Sequence, residues 1–114
     1  MPRPPTDSVV RRDMCDRLAR LLKTAYDDNW SELSQRLGYA SASGMLSVKR
    51  GDAFPDVQRL NKISDWEIEG GYIPSLDWIL TNKGPAVIKY KDSKVINGLT
   101  LSQLASLRVG KRAL

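Results

Sequence analysis

The sequence predicts a mainly α-helical fold, five helices around one core, followed by a small β-hairpin and a final helix. Three observations carry this expectation. From Val10 to Leu80, apolar residues recur at three- and four-residue spacing, the period of a helix with one buried face. Caps and glycine stops divide that stretch into separate helices. Beyond Gly84-Pro85 the pattern changes to two β-prone runs, 86–90 and 95–97, around the turn sequence Lys91-Asp-Ser-Lys94. At 114 residues and 41% hydrophobic, the chain fits one compact domain with an appendage. Residues 1–8 are expected as an extended arm, 9–84 as the helical domain and 85–114 as a basic hairpin-plus-helix tail.

The arm rests on prolines 2, 4 and 5, and its Arg3 could reach a nucleic acid as basic arms do. The first helix is expected from a Ser8 cap to about Tyr26. Val10, Met14, Leu18, Leu21, Leu22 and Ala25 form its core stripe, with solvated Arg11, Arg12, Asp13, Asp16, Arg17, Arg20 and Lys23 elsewhere. Cys15 reads as a small packed or half-exposed thiol, and a single cysteine excludes an internal disulfide.

Asn29 is a good N-cap for a second helix, and Glu32 three residues on completes a capping-box pattern. Leu33 and Leu37 make its buried stripe, and Gly38 stands where a left-handed residue ends a helix without steric cost. Tyr39 and Ala40 form a turn, after which Ser41 can cap a third helix. Met45 and Val48 would face inward there. Ala42, Ser43, Leu46, Ser47 and Arg50 would face outward, and Lys49-Arg50 ends the helix. Gly44 lowers helix propensity by roughly 1 kcal/mol relative to alanine, and could instead permit close approach, either to the first helix of this pair or to DNA.

A helical pair of this shape can lay its second helix in the DNA major groove. Serine hydroxyls can donate or accept, small apolar groups can touch a thymine methyl, and arginine can grip guanine or phosphate. The candidate DNA contacts are therefore Ser41, Ala42, Ser43, Leu46, Ser47, Lys49 and Arg50. The spacing alone also suits an ordinary helical hairpin with a solvated polar face.

After this pair, Pro55 is placed to begin a fourth helix with Val57, Leu60, Ile63 and Trp66 toward the core, ended by Gly70-Gly71. Pro74-Ser75 starts a fifth, with Leu76, Ile79 and Leu80 inward. In the tail, Gly98 ends the hairpin and Thr100 caps a last amphipathic segment carrying Leu101, Leu104, Ala105 and Leu107.

Residues 17–84 resemble the helix-turn-helix domain of phage CI-type repressors, in the lambda-repressor-like group. The resemblance rests on Leu33 and Gly38, on Lys49-Arg50-Gly51 followed by Pro55, and above all on Ile73-Pro-Ser-Leu-Asp-Trp-Ile-Leu-Thr-Asn-Lys-Gly84. It implies a transcriptional regulator that binds double-stranded operator DNA as a homodimer, represses by occluding a promoter, and works in the cytoplasm of a bacterial host. Two positions depart from the family: Trp30 stands where glutamine is usual, and Ser34 where alanine is usual. With Gly38 as anchor, Gly44 falls where the family buries an aliphatic residue, so a turn one residue longer, with Met45 buried, is expected.

Net charge is +5, and it is concentrated in the tail. Residues 1–40 hold seven basic and six acidic groups, residues 41–84 five and six, and residues 85–114 six basic groups and only Asp92. The tail can thus add sequence-independent attraction to phosphates, or simply solubility. With no histidine and no glycine-rich phosphate loop, no catalytic constellation, metal site or cofactor is expected. No apolar run approaches a membrane span or a signal-peptide core. An isolated hairpin is marginal in water, so the tail needs a surface to pack on. It can fold back on its own body or pair with a second subunit; the second is expected because one recognition helix rarely supplies enough affinity, and such a tail would also set half-site spacing. Rival readings are a protein-interaction module on the same fold, or an antitoxin-like regulator whose tail binds a toxin.

Overall fold

A computed structural model describes residues 5–26, 29–91 and 94–112. Its helices are α1 (Pro5–Tyr26), α2 (Trp30–Arg36), α3 (Ser43–Arg50), α4 (Val57–Ser64), α5 (Leu76–Thr81) and α6 (Leu101–Arg112). Strands β1 (Ile73–Pro74), β2 (Val87–Lys91) and β3 (Lys94–Leu99) form one antiparallel sheet in the order β1-β2-β3. The fold is mostly helical with this small sheet.

The long helix α1 is the axis on which the rest is assembled. Cys15, Leu18, Leu21, Leu22 and Ala25 form one buried stripe, and α3, α5 and α6 all pack against α1. The helix begins at Pro5, a residue tolerated in the first turn because the amide it lacks would have no helical partner anyway. Residues 5–8 are therefore helical rather than part of an arm, while residues 1–4, with Arg3, lie outside the described residues. Burial starts at Cys15, so Val10, 51% exposed, is not a core residue. Cys15 itself is fully buried with Sγ 3.5 Å from the Ala53 carbonyl, and burial pushes its thiol pKa up. Two arginines expected to be solvated hold other elements to α1. Arg11 Nε donates to the Gly51 carbonyl at 3.2 Å, and Arg17 donates to the carbonyls of Ile79 and Leu80 at 2.8 and 3.3 Å. Each sets a cation at the C-terminal end of a helix, where the dipole favours it.

Helix α4 starts at an Asp56 cap, whose carboxylate accepts from the Arg59 amide at 2.9 Å, and ends at Ser64 rather than at the glycine pair. Along it burial deepens toward the C-terminus: Val57 is 81% exposed, Leu60 half-buried and Ile63 buried. Because the helix ends at Ser64, Trp66 lies beyond it, where its ring meets Tyr26 edge-on at 5.6 Å and the Arg36 guanidinium lies over it at 5.0 Å. Gly70 and Gly71 belong to a short 3-10 turn. Ser75 caps α5 as expected and Ile79 is buried, but Leu80 faces solvent.

The tail shares the core of the body. β2 pairs with β1, Ile73 opposite Ile88 and Pro74 opposite Val87, and the Ser75 amide donates to the Ala86 carbonyl at 2.9 Å. Ala86, Val87 and Leu104 belong to the same buried cluster as the α1 stripe. The surface the hairpin requires is thus supplied by its own chain, and residues 85–107 are no separate appendage. Gly98 lies inside β3, where a Cβ would come within 2.3 Å of the Pro85 ring. Thr100 caps α6 in a reciprocal box: its Oγ1 accepts from the Gln103 amide, and Gln103 Oε1 accepts from the Thr100 amide. The turn at Asp92-Ser93 lies outside the described residues. No described helix is long and apolar enough to cross a membrane.

Candidate nucleic-acid interface

The pair α2–α3 is built from its caps inward. Asn29 Oδ1 accepts from the Glu32 amide at 3.4 Å, while the Glu32 carboxylate accepts from Asn29 Nδ2 at 2.7 Å instead of from the cap's own amide. Leu33 and Leu37 are buried, and Gly38, at φ +81°, turns the chain. Trp30 is buried as well and packs in the core, with Lys49 Nζ 5.4 Å from the centre of its ring.

The start of α3 is held from the neighbouring helix. Its cap residue, Ala42, has no side-chain oxygen to offer the first-turn amides. Ser34, buried in α2, supplies one: its hydroxyl accepts from the Met45 amide and donates to the Ala42 carbonyl, both at 3.3 Å. Ser41 takes a third position, accepting from the Ser43 amide at 3.3 Å and sharing a 2.7 Å hydrogen bond with the Ser43 hydroxyl. The other end of α3 stops at Gly51, φ +82°, whose carbonyl is the one Arg11 grips. Both ends of this eight-residue helix are therefore fixed by other elements.

The intervening turn is clamped too. Arg59 stacks its guanidinium 4.0 Å from the centre of the Tyr39 ring, donates to the Gly38 carbonyl at 3.4 Å and pairs with Asp56. The Tyr39 ring also lies against Gly44, where any Cβ would sit 2.3 Å from ring carbons. Gly44 thus permits a close approach, but of Tyr39 in the preceding turn rather than of the first of the two helices. Met45 and Val48 are buried, as the longer turn requires.

Of the seven candidate contacts, Ser41, Ser43, Lys49 and Arg50 are exposed, while Ala42, Leu46 and Ser47 are half-buried and Leu46 packs against the core. Four of them are joined in two pairs. Ser41 and Ser43 are joined at the N-terminal end. Arg50 and Ser47 are joined at the C-terminal end, where Arg50 Nη2 donates to Ser47 Oγ at 3.3 Å. Lys49 stands apart over Trp30. Arg50 also pairs with Asp52 at 3.1 Å, both side chains more than 60% exposed, so the pair is worth little and the guanidinium can exchange partners. Beside it, Arg12, Asp13 and Asp16 of α1 line a shallow cleft with Lys49 and Arg50. Among the described residues no three Cys, Asp or Glu side chains converge to hold a metal ion.

Sequence reasoning missed Ser34, Arg11 and the Tyr39–Arg59 clamp. Ser34 carried the only visible signal, a polar residue beside the Leu33 and Leu37 stripe. Arg11 and Arg59 act over 40 and 21 residues of chain separation, which no local pattern reports. A scan against protein-family models and searches of curated proteins and solved structures gave no match.

Proposed function

We propose that this protein is a sequence-specific DNA-binding regulator, a helix-turn-helix reader of the phage-repressor type that places α3 in the major groove. The observation that carries the proposal is a short helix pinned at both ends whose outward side is small, polar and basic. Ser34 and Arg11 hold α3 without occupying its exposed side, so its orientation is set before any ligand arrives. Ser41, Ser43 and Ser47 can donate to or accept from base edges, Ala42 and Leu46 can meet a thymine methyl, and Arg50 can grip guanine bidentately once it leaves Asp52. Lys49, lying over Trp30, is assigned to a phosphate. Trp30 itself, buried, has no phosphate role in this scheme.

A single helix of this length offers few base contacts, so two copies are proposed to bind an inverted repeat with half-sites about 34–36 Å apart. Repression would follow from occluding a promoter. The test is the affinity of Arg50→Ala for a selected duplex and for single-base variants of it. A loss of roughly 1–3 kcal/mol, with relaxed preference at one base pair and an unchanged melting temperature, is expected. Unchanged affinity in a well-folded variant would remove Arg50, and with it the guanine contact, from the interface.

A further inference from the structure

The hairpin β2–β3 sets two like charges against one another. Lys91 and Lys94 are direct cross-strand partners, both exposed. Like charges placed opposite one another destabilise an antiparallel pair. The two pairings Lys89↔Asn97 and Tyr90↔Val95 leave Ile96 as an extra residue on β3, so β2 keeps its regular alternation. Lys89 therefore points to the same side as Lys91. On that side Lys89 lies 5.7 Å from the centre of the Tyr72 ring, and the Tyr72 hydroxyl accepts from Asn97 Nδ2 at 3.0 Å. No described carboxylate forms an ion pair with any of the three lysines. The segment 85–114 holds six basic residues against Asp92 alone, while the remainder of the chain is balanced.

We infer that this lysine face is a second nucleic-acid contact, gripping the phosphate backbone of duplex DNA independently of its sequence. A polyanion would relieve the Lys91–Lys94 repulsion on binding. The tyrosine and asparagine beside the lysines add neutral polar groups of the kind that meet phosphate and sugar oxygens. This division of labour rests on the reading of α3 as the sequence-reading helix, and it supplies what the near-neutral helical body lacks. The hairpin anchors and α3 discriminates.

The test is a fluorescence-anisotropy titration of the wild-type chain and of K91Q/K94Q over a series of salt concentrations. Three probes are used: a duplex selected by the wild-type chain, a shuffled duplex of equal length, and polyglutamate. The variant should melt no lower than wild type, because a like-charge pair has gone. It should bind both duplexes more weakly by a similar factor, and its slope of log K against log salt should be shallower by about 2. If the selected duplex binds the variant with unchanged affinity and slope, the hairpin proposal fails while the α3 reading stands. If no sequence is selected but duplex binding still depends on the two lysines, the hairpin stands and the α3 reading fails. Absence of any duplex binding, or equal lysine-dependent binding of polyglutamate, overturns the hairpin proposal and turns its face to an acidic protein partner.

Discussion

Ser34→Ala isolates the contact that sets the reading helix against its neighbour. In the wild-type chain the Met45 amide, in the first turn of α3, donates to the Ser34 hydroxyl at 3.3 Å, and Met45 is fully buried. No water can take the place of the lost oxygen, so the variant leaves a buried donor unpaired, at a cost of roughly 1–3 kcal/mol. Two smaller effects oppose it. The hydroxyl no longer has to be desolvated, and alanine is the better helix former by about 0.5 kcal/mol. The Ala42 carbonyl is not orphaned, since it still accepts from the Leu46 amide at 3.2 Å. The net loss is therefore about 1–2 kcal/mol, and for a urea slope of roughly 1–2 kcal/mol per molar it should lower the unfolding midpoint by about 1 M. Ser41→Ala is the internal control. Its hydroxyl also accepts a first-turn amide, but at an exposed site where water substitutes, so its midpoint should move by less than half as much. Hydrogen exchange at the Met45 amide should accelerate selectively in Ser34→Ala. A Ser34→Ala midpoint equal to wild type, or a larger effect from Ser41→Ala, would refute the argument that α3 is capped from α2.

Gly44→Ala should destabilise the fold although alanine favours helix. The new Cβ would sit 2.3 Å from the Tyr39 ring, over which the Arg59 guanidinium is stacked, and overpacking of roughly 1–3 kcal/mol outweighs a propensity gain near 1 kcal/mol. A thermal melt at or above the wild-type value would contradict this. At Asp56, the Arg59 amide holds the carboxyl pKa below its ordinary 3.8. A depressed carboxyl contributes stability that is complete above the ordinary value and lost as pH falls through the folded-state value. Asp56→Asn keeps a capping oxygen without the charge, so its urea midpoint should fall less than that of wild type on going from pH 5 to pH 2. Parallel curves would show that the cap's charge contributes nothing.

How far the sequence could be read depended on whether the deciding contacts were local. Asn29, Gly38, Ser75 and Thr100 each mark a helix end through partners within a few residues, and each lies at the expected boundary. The two β-prone runs pair as a hairpin for the same reason. The end of α4 was not legible. No glycine or proline interrupts residues 57–69, yet the helix stops at Ser64, and Trp66 beyond it docks against Tyr26 and Arg36, forty and thirty residues earlier. Val57 and Leu80 fit the apolar periodicity and still face solvent, because periodicity marks a side of a helix and not how far the neighbouring elements extend along it. The tail was legible as elements and not as packing: its placement is decided by the two-residue pairing of β1 with β2 and by Leu104 against the core. At the candidate interface the exposed residues followed from the inward-facing Met45 and Val48. The means of holding the helix, Ser34, Arg11 and Arg59, depend on pairings across the fold.

Operator reading by α3 is tested most directly by selection from a pool of random duplexes with the whole chain at two salt concentrations, followed by sequencing of what is retained. A dimeric operator reader enriches an inverted repeat whose half-sites lie one helical turn apart, about 34–36 Å, and the enrichment persists at the higher salt. Retention without an enriched sequence, or no retention at either concentration, would contradict operator reading by α3.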